Sequence, residues 1–88
     1  MSDFRNDTDH SRYERDEQGL TSWADYRLAD DRIYIMHVES PPPLRGTGAA
    51  GRLMADLVED VRAKGLKVTP VCGYAAAWLR RNAPDLTT

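Results

Sequence analysis

Only one of the 88 residues is cysteine, Cys72, so no intrachain disulfide is available to brace the fold, and the expected compartment is the reducing cytoplasm. Histidine occurs only at positions 10 and 37, which leaves no metal-ligand spacing, and no metal is expected. No run approaches the roughly 20 apolar residues needed to cross a bilayer. The polar amino terminus MSDFRNDTDHS also lacks the apolar core of a secretory signal. Excess positive charge is absent too: the formal net charge is −2, which gives no electrostatic reason to bind a phosphodiester backbone. Neither a membrane nor a nucleic acid is an expected partner. The length allows one domain, and one this small buries a smaller share of its surface than an average domain does.

What is present is a 41% hydrophobic, mixed-charge chain whose apolar period changes along its length. Residues 1–11 are almost entirely polar and are expected to be a frayed, disordered leader, with residues 12–88 as the single folded domain. Residues 12–17, RYERDE, read as a strand chiefly through the turn signal Gln18-Gly19 that follows. Over residues 20–28, Leu20, Ala24, Tyr26 and Leu28 share one face at period two, with Ser22 as its polar member. Turn residues at 29–32 and the β-rich run 33–38 complete an antiparallel hairpin. Ile33, Ile35 and His37 are expected on one side of it, and Glu39 after them. An exposed hairpin edge in so small a protein points to weak homodimer formation.

Pro41, Pro42 and Pro43 cannot donate to a ladder, so the strand stops near Ser40. From about Thr47 the period becomes helical, with Leu53, Met54, Leu57, Val58 and Val61 on one face and Gly65 as the left-handed stop. Residues 66–71 form a short strand interrupted by Pro70; coming back after a helix, it is expected parallel to the 33–38 strand in a right-handed crossover. Residues 74–82 are a second helix with Ala75, Trp78 and Leu79 inward. The expected class is α/β of the α+β kind: a small mixed sheet of antiparallel strands, then a β-α-β crossover and a C-terminal helix.

Between strand and helix lies Arg45-Gly46-Thr47-Gly48-Ala49-Ala50-Gly51. Its glycines spell G-x-G-x-x-G, but a dinucleotide fold needs an acid about 20 residues further on, and Val71-Cys72-Gly73 holds none. Read as a triphosphate loop, it has Arg52 and Leu53 where the lysine and the magnesium-binding hydroxyl belong. The plainest alternative is that the glycines only shape a tight turn. Small side chains at a strand-loop-helix junction also leave main-chain N–H groups open to an anion.

The string Arg45-Gly46-Thr47-Gly48-Ala49-Ala50 resembles the acetyl-coenzyme A loop of the Gcn5-related N-acetyltransferases, Q/R-x-x-G-x-G/A. His37-Val38-Glu39-Ser40-Pro41, Gly65-Leu66-Lys67-Val68, Cys72-Gly73-Tyr74-Ala75 and Trp78-Leu79-Arg80-Arg81 resemble the short YjdJ-type branch, and the likeness covers roughly residues 12–84. The resemblance implies a truncated acetyltransferase-like fold, acetyl-coenzyme A as cofactor and acetyl transfer to a primary amine of a small molecule or protein lysine. A non-catalytic coenzyme A or acyl-coenzyme A binding module is the alternative. It also implies that the pyrophosphate rests on the N–H groups of Gly46, Thr47, Gly48, Ala49, Ala50 and Gly51, with Arg45 framing them. Main-chain contacts to the pantetheine arm are implied at Val38 and Ser40, and Arg80 and Arg81 become candidates for the 3′-phosphate. The family usually has Thr in place of Val38 and an apolar residue in place of Ser40.

Such a reaction needs a base, because a lysine-like amine with a pKa near 10.4 is neutral only about 0.04% of the time at pH 7, a deficit of about 4.6 kcal/mol. His37 is the candidate, directly or through a water, with Glu39 as its orienting partner or as a rim charge. A hydrogen-bonded core histidine is the plainer role. The tyrosine acid of larger relatives falls at Leu79 here. Cys72 and Tyr74, at the start of the second helix, are the remaining candidates, as nucleophile or thiol acid and as phenolic donor. A small buried hydrophobe is the plainer role for Cys72.

Overall fold

The computed structural model describes residues 3–88. Its strands are β1 (Phe4–Asp7), β2 (Arg12–Glu17), β3 (Leu20–Ala29), β4 (Arg32–Glu39) and β5 (Lys67–Pro70). They form one sheet in the order β1-β2-β3-β4-β5, antiparallel throughout except for the parallel β4–β5 pair. Helix α1 (Ala49–Ala63) makes the crossover between β4 and β5, and α2 (Gly73–Asn82) follows. The mixed sheet, crossover and closing helix agree with the expected class.

The amino-terminal expectation is overturned. Phe4–Asp7 is a strand on β2, and Phe4 stacks on Tyr13 with ring centroids 5.6 Å apart. The alternation is short but clear: Arg5 faces solvent and bonds Glu14 and Asp16, while Asn6 receives the Tyr26 hydroxyl at 2.8 Å. One aromatic residue and a polar partner inside suffice to hold what composition marked as a leader; residues 1 and 2 lie outside the described residues.

Helix α1 sets its apolar stripe against the sheet as its period requires. Leu53, Met54, Leu57 and Val61 are fully buried against Tyr13, Ala24, Ile33, Ile35 and Val68, each contributing about 1.5–3 kcal/mol by leaving water. Tyr13 ties sheet to helix, its hydroxyl donating to Asp60 at 2.7 Å. Burial first, then that carboxylate, raises the phenol far above its ordinary range, so it stays a donor. Gly65 at φ 68° ends the helix, its N–H donating to Arg62 O.

Two further departures bear on function. The β3–β4 register shifts at Asp25/Tyr26, with Tyr26 opposite Ile35 and Asp25 opposite His37, so Met36 is an extra residue without a partner on β3. The bulge reverses the alternation. Ile33 and Ile35 face the core, but after Met36 it is Val38 that turns inward beside Ala24, and His37 and Glu39 turn to the opposite face. Among the described residues the outer strands of the sheet are β1 and β5, so the β3–β4 hairpin is flanked on both sides, and its open edge is confined to the end of β4 beyond Ile35. Leu28, expected inward, is 57% exposed.

Candidate functional site

The parallel ladder ends at the pair Ile35–Pro70, where the nitrogen of Pro70 faces the outer edge and no ladder donor is lost. Val71 and Cys72 both turn their N–H groups onto Ile35 O, at 2.9 and 3.1 Å, and the chain bends into α2 while β4 runs on to Glu39. The strands part, and a cleft of about 450 Å³ opens between β4, the glycine loop and α2. Val38, Glu39 and Ser40 line its strand side, Gly48, Ala49, Ala50 and Gly51 its helix side, and Tyr74 the α2 side. Arg45 and Gly46 close the loop end above buried Leu44.

The loop is held from within, so its N–H groups are fixed in direction. Pro42–Leu44 is a single 3-10 turn. Arg45 reaches back to the end of β4, its Nε donating to Ser40 O at 3.0 Å and its Nη2 to Glu39 at 3.1 Å. Thr47 donates its hydroxyl to Leu44 O at 2.6 Å and accepts from Ala49 N–H, so that hydroxyl is spent on loop shape. Gly46 and Gly48 are left-handed at φ 79° and 89°, a conformation that disfavours any other residue, and no side chain caps α1 at Gly48. Beyond Ala49, whose N–H is taken by Thr47, the first turn of α1 presents the N–H groups of Ala50 and Gly51 and its positive dipole end to the cleft. Arg52, at the place of a triphosphate loop's lysine, is turned away onto Glu17 through two contacts of 2.8 Å.

His37 is 53% exposed and lies on the sheet face opposite the helices, outside the cleft lining. Its Nε2 is 3.2 Å from Glu39 Oε2, and the other Glu39 oxygen takes Arg45. Glu39 thus bridges His37 to the loop. The His37 hydrogen bond first, then the Arg45 charge, hold the Glu39 carboxyl below its usual range, so it is anionic at neutral pH. Tyr74 is 44% exposed, and partial burial first, then Cys72, raise its phenol above the ordinary value, which keeps it a donor. Cys72 is the half-buried N-cap residue of α2, packed on the core edge and absent from the cleft lining. Arg80 and Arg81 are exposed in the last turn of α2, and the fold does not bring them into the cleft. Among the described residues no cluster of His, Cys, Asp or Glu is placed to hold a metal, and no helix is long and apolar enough to cross a membrane.

Sequence reasoning did not place Ser22, Trp78 or Leu44 at the site. Ser22 lies under Ser40 with their hydroxyl oxygens 2.8 Å apart, a pairing foreshadowed only by a polar residue in an inward stripe. Trp78 and Tyr74 lean over the first turn of α1, where a Cβ on Gly51 would stand 3.6 Å from Trp78 Nε1 and 3.7 Å from the Tyr74 hydroxyl. Leu44 is the loop's peg in the core.

A family model described as GCN5-related N-acetyl-transferase matches residues 12–86. The chain belongs to that family. The acetyltransferase fold is seen again in the solution structure of a GCN5-like protein from Staphylococcus aureus, which is 24% identical, with 100% of this chain and 91% of that one covered, at a TM-score of 0.73. No curated protein matches this acetyltransferase-family chain. The family membership and fold agree with the likeness to the Gcn5-related N-acetyltransferases carried by the loop.

Proposed function

We propose that the protein is an N-acetyltransferase of the short YjdJ-type branch that takes acetyl-coenzyme A as donor and a primary amine as acceptor. The observation that carries this reading is the convergence of two left-handed glycines and the first turn of α1 on a cleft between parted strands. The residues present fit a linked diphosphate: a Cβ on Gly46 would meet nothing within 4 Å, and the helix start carries no acidic residue in its first turn. Gly46, Gly48, Ala50 and Gly51 would hold it through main-chain N–H groups, with Arg45 bracing them from outside; of the six loop residues expected to do so, Thr47 and Ala49 already spend their N–H groups on Leu44 O and the Thr47 hydroxyl, and Thr47 lies outside the cleft lining. Val38 and Ser40 line the strand side, where an arm leading away from the diphosphate would lie. Arg80 and Arg81 remain candidates for the 3′-phosphate only if the cofactor reaches beyond the cleft.

The bound thioester supplies the activated acetyl group; the chain's own residues handle protons and position. His37 takes the proton of the incoming amine, held in orientation by Glu39, which is anionic and itself held by Arg45. This puts the acceptor on the open face of the sheet. Tyr74 is the donor best placed for the departing thiolate, because it lines the cleft and its phenol stays protonated. Cys72 is the second candidate and sits two residues away.

One observation favours the alternative of a coenzyme A or acyl-coenzyme A binding module without turnover: His37 lies outside the cleft lining. Acetyl-coenzyme A mixed with a panel of small amines and lysine peptides, with free thiol followed over time, separates the two. Amine-dependent thiol release supports the enzyme; coenzyme A binding without release across the panel supports the module.

A further inference from the structure

We infer that the buried hydroxyl pair Ser22 and Ser40 is a ligand-directed donor: Ser22 donates to Ser40, and Ser40 donates to a neutral carbonyl oxygen of the arm that follows the diphosphate. The inference rests on the cofactor reading proposed above and adds to it a side-chain contact and its positioning partner.

Among the described residues, the buried polar positions are Ser22, 1% exposed, and Ser40, 6% exposed. Their oxygens are 2.8 Å apart, and either atom is able to donate. Two hydroxyls carry two protons, and the bond between them uses one. Neither hydroxyl has a further partner among the described residues. A buried proton left without an acceptor destabilises the fold, and apolar side chains of the same shape would remove that burden. The neighbours on this inward face, Ala24 and Val38, are indeed apolar. The pair is therefore poorly explained as packing.

Ser40 lines the cleft and Ser22 does not, which sets the direction of the pair. With Ser22 donating to Ser40, the spare proton belongs to Ser40, on the strand side of the cleft and away from the N–H groups of α1. The N–H groups fit to take the phosphates lie on the helix side of the cleft, so the group that meets Ser40 on the strand side is the arm, whose accepting oxygens include neutral amide carbonyls. Ser40 O is already taken by Arg45 Nε, so the hydroxyl is the side-chain group this residue has left to offer. Ser22 acts as a positioning residue, fixing the rotamer of Ser40 from beneath.

The test is calorimetric titration of coenzyme A into wild type, Ser40→Ala, Ser22→Ala and the double Ala variant, with adenosine diphosphate followed by amide shifts as an arm-less probe. Ser40→Ala is expected to bind coenzyme A about fivefold more weakly, equivalent to about 1 kcal/mol. Its affinity for adenosine diphosphate stays unchanged. Ser22→Ala loses about twofold, because Ser40 keeps its proton but not its fixed direction. The double variant leaves no orphaned hydroxyl, folds as wild type and shows the Ser40→Ala loss. Wild-type affinity in a folded Ser40→Ala or double variant overturns the inference and leaves the cofactor reading intact. Equal losses for both ligands also overturn it, by assigning the hydroxyl to the phosphates. A wild type that binds no coenzyme A overturns the cofactor reading and this inference together.

Discussion

Gly48→Glu puts the loop under the most direct strain, because two effects meet at one residue. The backbone there is left-handed at φ 89°, where an L side chain costs about 1–2 kcal/mol. A Cβ would also stand 3.0 Å from Arg52 Nη1, so the guanidinium has to shift on its double contact with Glu17. The added carboxylate then sits at the positive end of α1, where the diphosphate is expected. At a separation of about 4 Å, two like charges repel by about 1 kcal/mol in bulk water and about 4 kcal/mol near a protein surface. Coenzyme A affinity should fall by about tenfold to a thousandfold. Gly48→Ala carries the backbone strain without the charge and should lower the melting temperature by about 4–8 °C for each kcal/mol. Its loss of affinity should be far smaller than that of the Glu variant. Calorimetry gives the affinities, and melting curves show that both variants are folded at the titration temperature. A folded Gly48→Glu protein that binds coenzyme A as wild type does would refute the reasoning.

His37→Ala should lower the rate of amine-dependent thiol release by about 10²–10⁴-fold. It should leave coenzyme A affinity unchanged, since His37 lies outside the cleft lining; a matching loss of affinity would contradict its placement. Phe4→Ala removes the stack on Tyr13 and should destabilise the protein by about 1–2 kcal/mol in urea denaturation, whereas no change would restore the leader reading. Acid should unfold the protein in a defined direction. Asp16, Glu17, Glu39 and Asp85 are held below their ordinary values by hydrogen bonds from Arg5, Arg52, His37 and Arg62 respectively. Depressed carboxyl values add stability above the ordinary 3.8 for Asp and 4.5 for Glu, and that stability is lost as the pH falls through the folded values. Melting temperature should therefore decline steadily below about pH 4, with a modest slope because these pairs are exposed; a rise on acidification would contradict it.

The period changes in the chain carried most of the fold. Leu53, Met54, Leu57, Val58 and Val61 repeat at helical spacing and are all buried, and the prolines at 41–43 mark the end of β4 within two residues. Period alone does not see a bulge, which depends on the pairing of two distant strands. Met36 was therefore invisible, and with it the turning of His37 and Glu39 onto the open face. The loop was legible because its chemistry is local: Gly46 and Gly48 need left-handed backbone, and Arg45 reaches only five and six residues back. Strand β1 was not, because a single phenylalanine among polar residues gains its meaning only from Tyr13 across the ladder. Ser22 and Ser40 are 18 residues apart, and nothing within either segment announces the other.

The most direct measurement is an amide-resolved NMR titration of the ¹⁵N-labelled protein with coenzyme A. The account predicts that the largest shifts fall on Gly46, Gly48, Ala50 and Gly51, with smaller ones along Val38 and Ser40. Shifts confined to other surfaces, such as β1 and β2, with the loop amides unmoved, would contradict it.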